Sequence, residues 1–171
     1  SDEFIELYNP TDSPISLDGW YIKRKATPTS EEQNLVSKTS GAFDTKTIPA
    51  KGFLLTSSNQ YLGDKTPDVR YSQNSVFLAN NGDVILLYNN NDIMVDEINF
   101  NEIETGKSWE RKAFSNNQCV SSQNDGEFLG NGCDTDSVTD FEIRNTPKPQ
   151  NSSSLPEPRE VQTALSVNSW D

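Results

Sequence analysis

Carboxylates are the groups of this chain best equipped for chemistry: 26 Asp and Glu stand against 14 Lys and Arg, and there is no histidine. A pair of carboxylates can act as general acid and base only where both face one reacting centre. Glu3 and Glu6 fall on opposite faces of an extended segment, as do Asp96 and Glu97, so neither pair forms a local dyad. With no histidine and no Gly-x-Ser-x-Gly turn, the usual nucleophile–base arrangements are missing. Convergence of distant carboxylates, as in glycosidases, is the remaining catalytic route. The residues predict a chain that is not an enzyme.

Three further sets of residues bear on binding. Asp134, Asp136 and Asp140 place hard oxygen ligands in one loop, the beginning of a calcium-binding pattern. The mid-loop glycine and closing glutamate of the EF-hand spacing are missing, and Asp is also a turn former, so a structural turn is the favoured reading. Cys119 and Cys133 are the only cysteines, and two cysteines without histidine do not make a tetrahedral zinc site. Their spacing is not that of a redox C-x-x-C, which leaves a structural disulfide as the expectation and two separate buried thiols as the alternative. A disulfide implies an oxidising compartment. Tyr61, Tyr71 and Phe114 lie in polar stretches, where they either pin loops onto the fold or form a ligand platform of the kind carbohydrate-binding modules use.

The elements that must hold these residues are short and extended. Ile5 and Leu7 alternate with Phe4, Glu6 and Tyr8, the pattern of a half-buried strand, and Asn9-Pro10 ends it. Trp20 and Ile22 share one face of a second strand. Arg24 to Thr45 reads as a long polar insertion with weak apolar marks at Leu35, Val36 and Phe43. Phe53-Leu54-Leu55-Thr56 is a strand, and Asn59 to Gln73 a polar connection with a short helical turn near Tyr61 and Leu62. Val76-Phe77-Leu78, Val84 to Tyr88 and Ile93 to Phe100 form a meander, its first turn marked by Asn81-Gly82. Val84 to Leu87 is apolar without interruption, as suits a central strand. Trp109 anchors a further strand, and Asp140 to Ile143 gives the last. The predicted architecture is all-β.

Thr146 to Pro158 holds four prolines among Ser and Asn, the composition of an extended linker. Val161, Thr163, Leu165 and Val167 alternate with other residues as a strand would, either an added edge or the start of another domain. The expected organisation is therefore a sandwich over 1–145, a linker over 146–158 and a strand-like tail over 159–171.

Net charge is −12. Such a surface repels phosphate backbones and anionic lipid, which excludes nucleic acid as the expected partner. No apolar run approaches the roughly 20 residues of a membrane helix. An export signal, if the parent has one, is expected outside this segment.

Several blocks together resemble a known family. Glu3 to Pro10 with Leu17 to Ile22, Ile48-Pro49-Ala50-Lys51-Gly52, Asn81 to Tyr88, and Gly106 to Arg111 are similar in order and spacing to the bacterial-type lamin tail domain. Asp134 to Phe141 and Thr146 to Asn151 match its closing pattern. The resemblance implies an immunoglobulin-like β-sandwich with long loops, without a cofactor. The family's additional strand does not precede the opening block in this segment, and the alternatives are that the segment is trimmed or that Val161 to Val167 occupies that edge. The function expected is a structural or interaction module of a larger, multidomain exported or cell-surface protein, binding a protein or surface ligand through its loops. The alternative is a carbohydrate-binding or adhesive module, calcium-assisted through Asp134, Asp136 and Asp140, that targets an attached enzyme.

Overall fold

The computed structural model of the chain describes residues 3–71 and 78–159. In chain order its strands are β1 (Phe4–Tyr8), β2 (Ile15–Ser16), β3 (Tyr21–Lys25), β4 (Gln33–Val36), β5 (Thr47–Ile48), β6 (Phe53–Ser58) and β7 (Val69–Tyr71). They continue as β8 (Asp83–Tyr88), β9 (Met94–Phe100), β10 (Ser108–Arg111), β11 (Ala113–Ser115), β12 (Gln118–Val120) and β13 (Phe141–Arg144). Among the described residues there is no α-helix, only three short 3₁₀ turns.

Two sheets carry the fold. One has the order β1-β6-β7, antiparallel between β1 and β6 and parallel between β6 and β7. The other has the order β4-β3-β8-β9 and is antiparallel throughout. One hydrophobic core joins them: Leu54, Val69 and Tyr71 from the first meet Ile22, Val36, Ile85 and Phe100 from the second, with Ile5, Leu7, Trp20, Ile98 and Trp109 packed around. Period-two alternation explains β1, where Ile5 and Leu7 face this core. β8 differs because both of its faces are closed. Ile85 and Leu87 belong to the core side, while Val84 and Leu86 are also buried, and Leu86 sits in register between Lys23 and Glu97, whose stems flank it. A strand covered on both faces needs the uninterrupted apolar run this one has.

The stretch expected as an insertion is part of the sheet. Leu35, Val36 and Phe43 are all buried, and β4 pairs with β3 to form an edge of the four-stranded sheet. The strand is legible only through two adjacent apolar residues because it is short. Likewise the polar connection after β6 contains β7, and Tyr61 is held by a turn onto Ser58 rather than a helix. The expected strand at Val76 and Phe77, and the segment from Val161 to Val167, lie outside the described residues.

Residues 146–158, expected as a linker, lie on the domain as an extended strap. The outer face of the β1-β6-β7 sheet presents Phe4, Glu6 and Tyr8 beside Phe53, Leu55 and Ser57, and those three β6 residues are fully buried. The strap follows this face. Gln150 N–H donates to Glu6 Oε2, Asn151 Nδ2 to the Thr66 carbonyl at 2.9 Å, and Ser152 N–H to Asp68 Oδ2 at 3.0 Å. Glu157 N–H then bonds the Lys51 carbonyl and Arg159 N–H the Phe128 carbonyl. Prolines suit such a strand-free path, because its missing amide donors are not needed for a ladder.

Candidate functional site

The disulfide Cys119–Cys133 ties β12 to the loop before β13. β12 itself returns from β11 through a two-residue turn in which Asn116 and Asn117 both have positive φ, 51° and 60°. Asn tolerates that left-handed conformation better than other residues with a side chain, and a turn with two such residues matches the twist of the paired strands. The hairpin is thus shaped by its turn and pinned at its base by a covalent bond. Beside it lies an open concavity of about 420 Å³, lined by Ser115, Asn116, Gln118, Ser121, Gln123 and Asn124 together with Val120, Gly126 and Leu129. Phe114, on β11, is 48% exposed. The concavity offers hydroxyl and amide groups for hydrogen bonding, and Phe114, on the opposite face of the hairpin, offers a separate exposed ring.

Of the three aromatic candidates, only Phe114 is open to a ligand. Tyr61 and Tyr71 are each 4% exposed. Tyr61 meets Phe4 edge-on at 6.2 Å between centroids, and Tyr71 belongs to the main core. The loops that looked polar in sequence fold their tyrosines inward, so these two rings are not part of a platform.

The aspartate loop is a self-satisfied turn. Asp140 is buried and closes a capping box with Ser137 on the Val138–Asp140 turn. Its carboxylate accepts from Thr135 N–H and Thr135 Oγ1, both at 2.6 Å, and from Ser137 N–H at 3.2 Å. Burial alone would raise this carboxyl, and those hydrogen bonds more than offset it, holding it below the ordinary value. Asp134 is engaged by Arg111 at 3.1 Å, while Asp136 is exposed at a positive φ of 57°. The three side chains therefore do not present a common set of oxygens to calcium. Cys119, Cys133 and Asp140 do bring ligand-type atoms within 4.8 Å of one another. The two sulfurs are bonded to each other, however, and the 3.4 Å approach of Cys133 Sγ to Asp140 is a contact without a proton to donate.

A second cluster, not foreseen from the sequence, lies under the strap. Arg144, buried on β13, donates through Nη1 to both oxygens of Glu110 at 2.9 Å and approaches Glu127 at 3.4 Å. Glu157, 2% exposed, accepts from Gln150 Nε2 at 2.9 Å and Gly130 N–H at 3.3 Å. Tyr8 Oη donates to the Glu157 carbonyl at 2.6 Å. Enclosure pushes the Glu6 carboxyl up to about 8, lowered in part by the Gln150 N–H and raised further by Glu110 and Glu157. Burial raises Glu110 and Glu157 as well, against the pull of Arg144 on the first and of Gln150 and Arg159 on the second. Distant carboxylates thus do converge, with Arg144 bound to Glu110 and Gln150 of the strap bound to Glu6 and Glu157. Sequence proximity gave no signal for this cluster, whose members come from β1, β10, β13 and the strap.

No helix among the described residues is long and apolar enough to cross a membrane. A family model for the lamin tail domain matches residues 1–102. Comparison with curated proteins gives no match.

Proposed function

The chain belongs to the lamin tail domain family, and from that premise we propose that it serves as a non-catalytic interaction module of an exported or cell-surface protein. The two sheets are the frame, and the disulfide-tied hairpin is the element displayed. The observation that carries this reading is the construction of that hairpin. A covalent tie and a two-residue turn fix the hairpin, which carries the exposed Phe114 on one face and the Ser115, Gln118 and Val120 wall of the concavity on the other. Preorganisation of this kind lowers the ordering cost of binding. The partner proposed is a protein or another surface ligand. Nucleic acid is disfavoured by a net charge of −12.

The test uses the fluorescently labelled protein on intact cells of its own host, read by flow cytometry. Phe114→Ser and Gln118→Ala are expected to lower cell binding at least tenfold while the melting temperature stays near that of the parent. Equal binding by both variants would remove the hairpin as the contact. Recovery of Cys119 and Cys133 as free thiols from the native host would remove the exported location.

One observation favours a second reading, carbohydrate binding: the concavity sets Ser, Asn and Gln, which match sugar hydroxyls in donor and acceptor capacity, beside the apolar Val120 and Leu129. A glycan array that stays blank with the parent protein sets it aside.

A further inference from the structure

We propose that residues 146–159 are an acid-fastened strap, which holds closed while the carboxylate cluster beneath it keeps a proton and loosens as that proton is lost. Charges beneath the strap and at its rim do not balance. Four carboxylates, Glu6, Glu110, Glu127 and Glu157, meet one buried cation, Arg144, and two solvent-exposed ones at the rim, Lys148 and Arg159. Fully ionised, the cluster carries one uncompensated negative charge; with one proton it is neutral. Burying an unpaired carboxylate is costly, so the closed state favours the protonated form.

The geometry identifies where that proton resides. Glu110 is held by Arg144, and Glu127 by Arg144 and Lys148. Glu157 has Gln150 Nε2, Gly130 N–H and, at 3.8 Å, Arg159, whose guanidinium also lies 4.3 Å over the Phe128 ring. Glu6 accepts from the Gln150 amide of the strap and feels Arg144 across space without an ion pair, while it faces both Glu110 and Glu157. The remaining polar neighbours leave this balance unchanged. Tyr8 is a phenol that burial and Glu157 push up to about 12, and Glu142 is occupied by Ser121, Ser122 and Gln123. At the far end of the strap, Asp68 accepts from Ser152.

The direction of the effect follows from linkage. An acid that titrates at about 8 beneath the strap, and lower once the strap lifts and admits water, contributes closure fully below its open-state value, and this is lost progressively up to about pH 8. Above about pH 8 both states are ionised and no further change arises from Glu6. Glu127, whose carboxyl is held low first of all by Lys148, acts in the opposite sense and only in acid, below the ordinary carboxylate range. Release frees about 14 residues, which extends the reach of the chain beyond the domain by roughly 45 Å.

The experiment is amide hydrogen exchange by NMR on the whole chain from about pH 5 to pH 9, corrected for intrinsic exchange. The reporters are the Gln150, Ser152, Glu157 and Arg159 amides, each bonded to the body of the domain. Their protection is expected to fall up to about tenfold per pH unit as far as about pH 8 and then level off, while β3 and β8 amides hold. Glu6→Gln, which keeps an acceptor for Gln150 but cannot ionise, is expected to flatten the profile. Strap protection that parallels β3 and β8 across the range would overturn the proposal, as would an unaltered profile in Glu6→Gln. If that variant does not fold, the wild-type profile decides alone.

Discussion

Replacing Cys119 and Cys133 together with alanine opens a covalent loop whose ends are separated by 14 positions. Closing a loop of about 15 residues removes enough freedom from the unfolded chain to stabilise the native state by about 3 kcal/mol at 25 °C. Cys133 is fully buried, so loss of its sulfur adds a packing component on the order of 1 kcal/mol. Alanine is the better replacement because serine would bring a new donor beside Asp140, 3.4 Å from the sulfur. The expected loss is therefore about 3–4 kcal/mol, or roughly 6–16 °C in melting temperature for a chain of this size. Urea unfolding followed by tryptophan fluorescence reads it, since Trp20 and Trp109 both pack against the core. Reducing the wild-type protein with a phosphine should reproduce the entropic part without any substitution. A loss below about 1 kcal/mol in both arms would refute the reasoning. It would mean that Arg111, which binds the Cys133 carbonyl and Asp134, already holds the loop without the covalent tie.

Two other outcomes follow from buried charge. Arg24 Nε donates to Asp83 Oδ1 at 2.8 Å between β3 and β8, with Asp83 fully enclosed and also capping the Ala79 amide. Asp83→Ala strands the guanidinium and is expected to cost about 3–5 kcal/mol in urea unfolding, much of it recovered when Arg24→Met is added. Asp140→Asn removes the charged acceptor of the capping box and should cost about 1–2 kcal/mol at neutral pH. Because the Asp140 carboxyl is held low in the folded state, its contribution is present above the ordinary value of 3.8 and is lost as pH falls through the folded one. Urea midpoints of the two proteins should accordingly converge in acid, and a constant difference would count against the assignment.

Local pattern reached some elements and missed others for identifiable reasons. The alternation in β1, the double-faced apolar run of β8 and the Asn-rich turns were legible because each is set by neighbours within a few residues. β4 and β7 were not, since an edge strand of four residues and a parallel strand of three carry too few side chains for a period to show. Tyr61 and Tyr71 looked available because their neighbours in sequence are polar, yet the chain folds both rings inward. The strap is the clearest case. Its Pro, Ser and Asn composition is the same whether it hangs free or binds, and its bonds to Glu6, Lys51 and Phe128 span tens of residues or more.

By itself the sequence determined that this protein would be all-β, acidic, equipped with a single pair of cysteines and similar to lamin tail domains. Those properties depend on residue type, short-range periodicity and a few ordered blocks. Which tyrosines are hidden, where the carboxylates meet and whether the proline-rich segment leaves the domain were decided only in three dimensions. Burial and electrostatic coupling depend on distance through space, and in a sandwich of non-local pairings that distance bears little relation to separation along the chain.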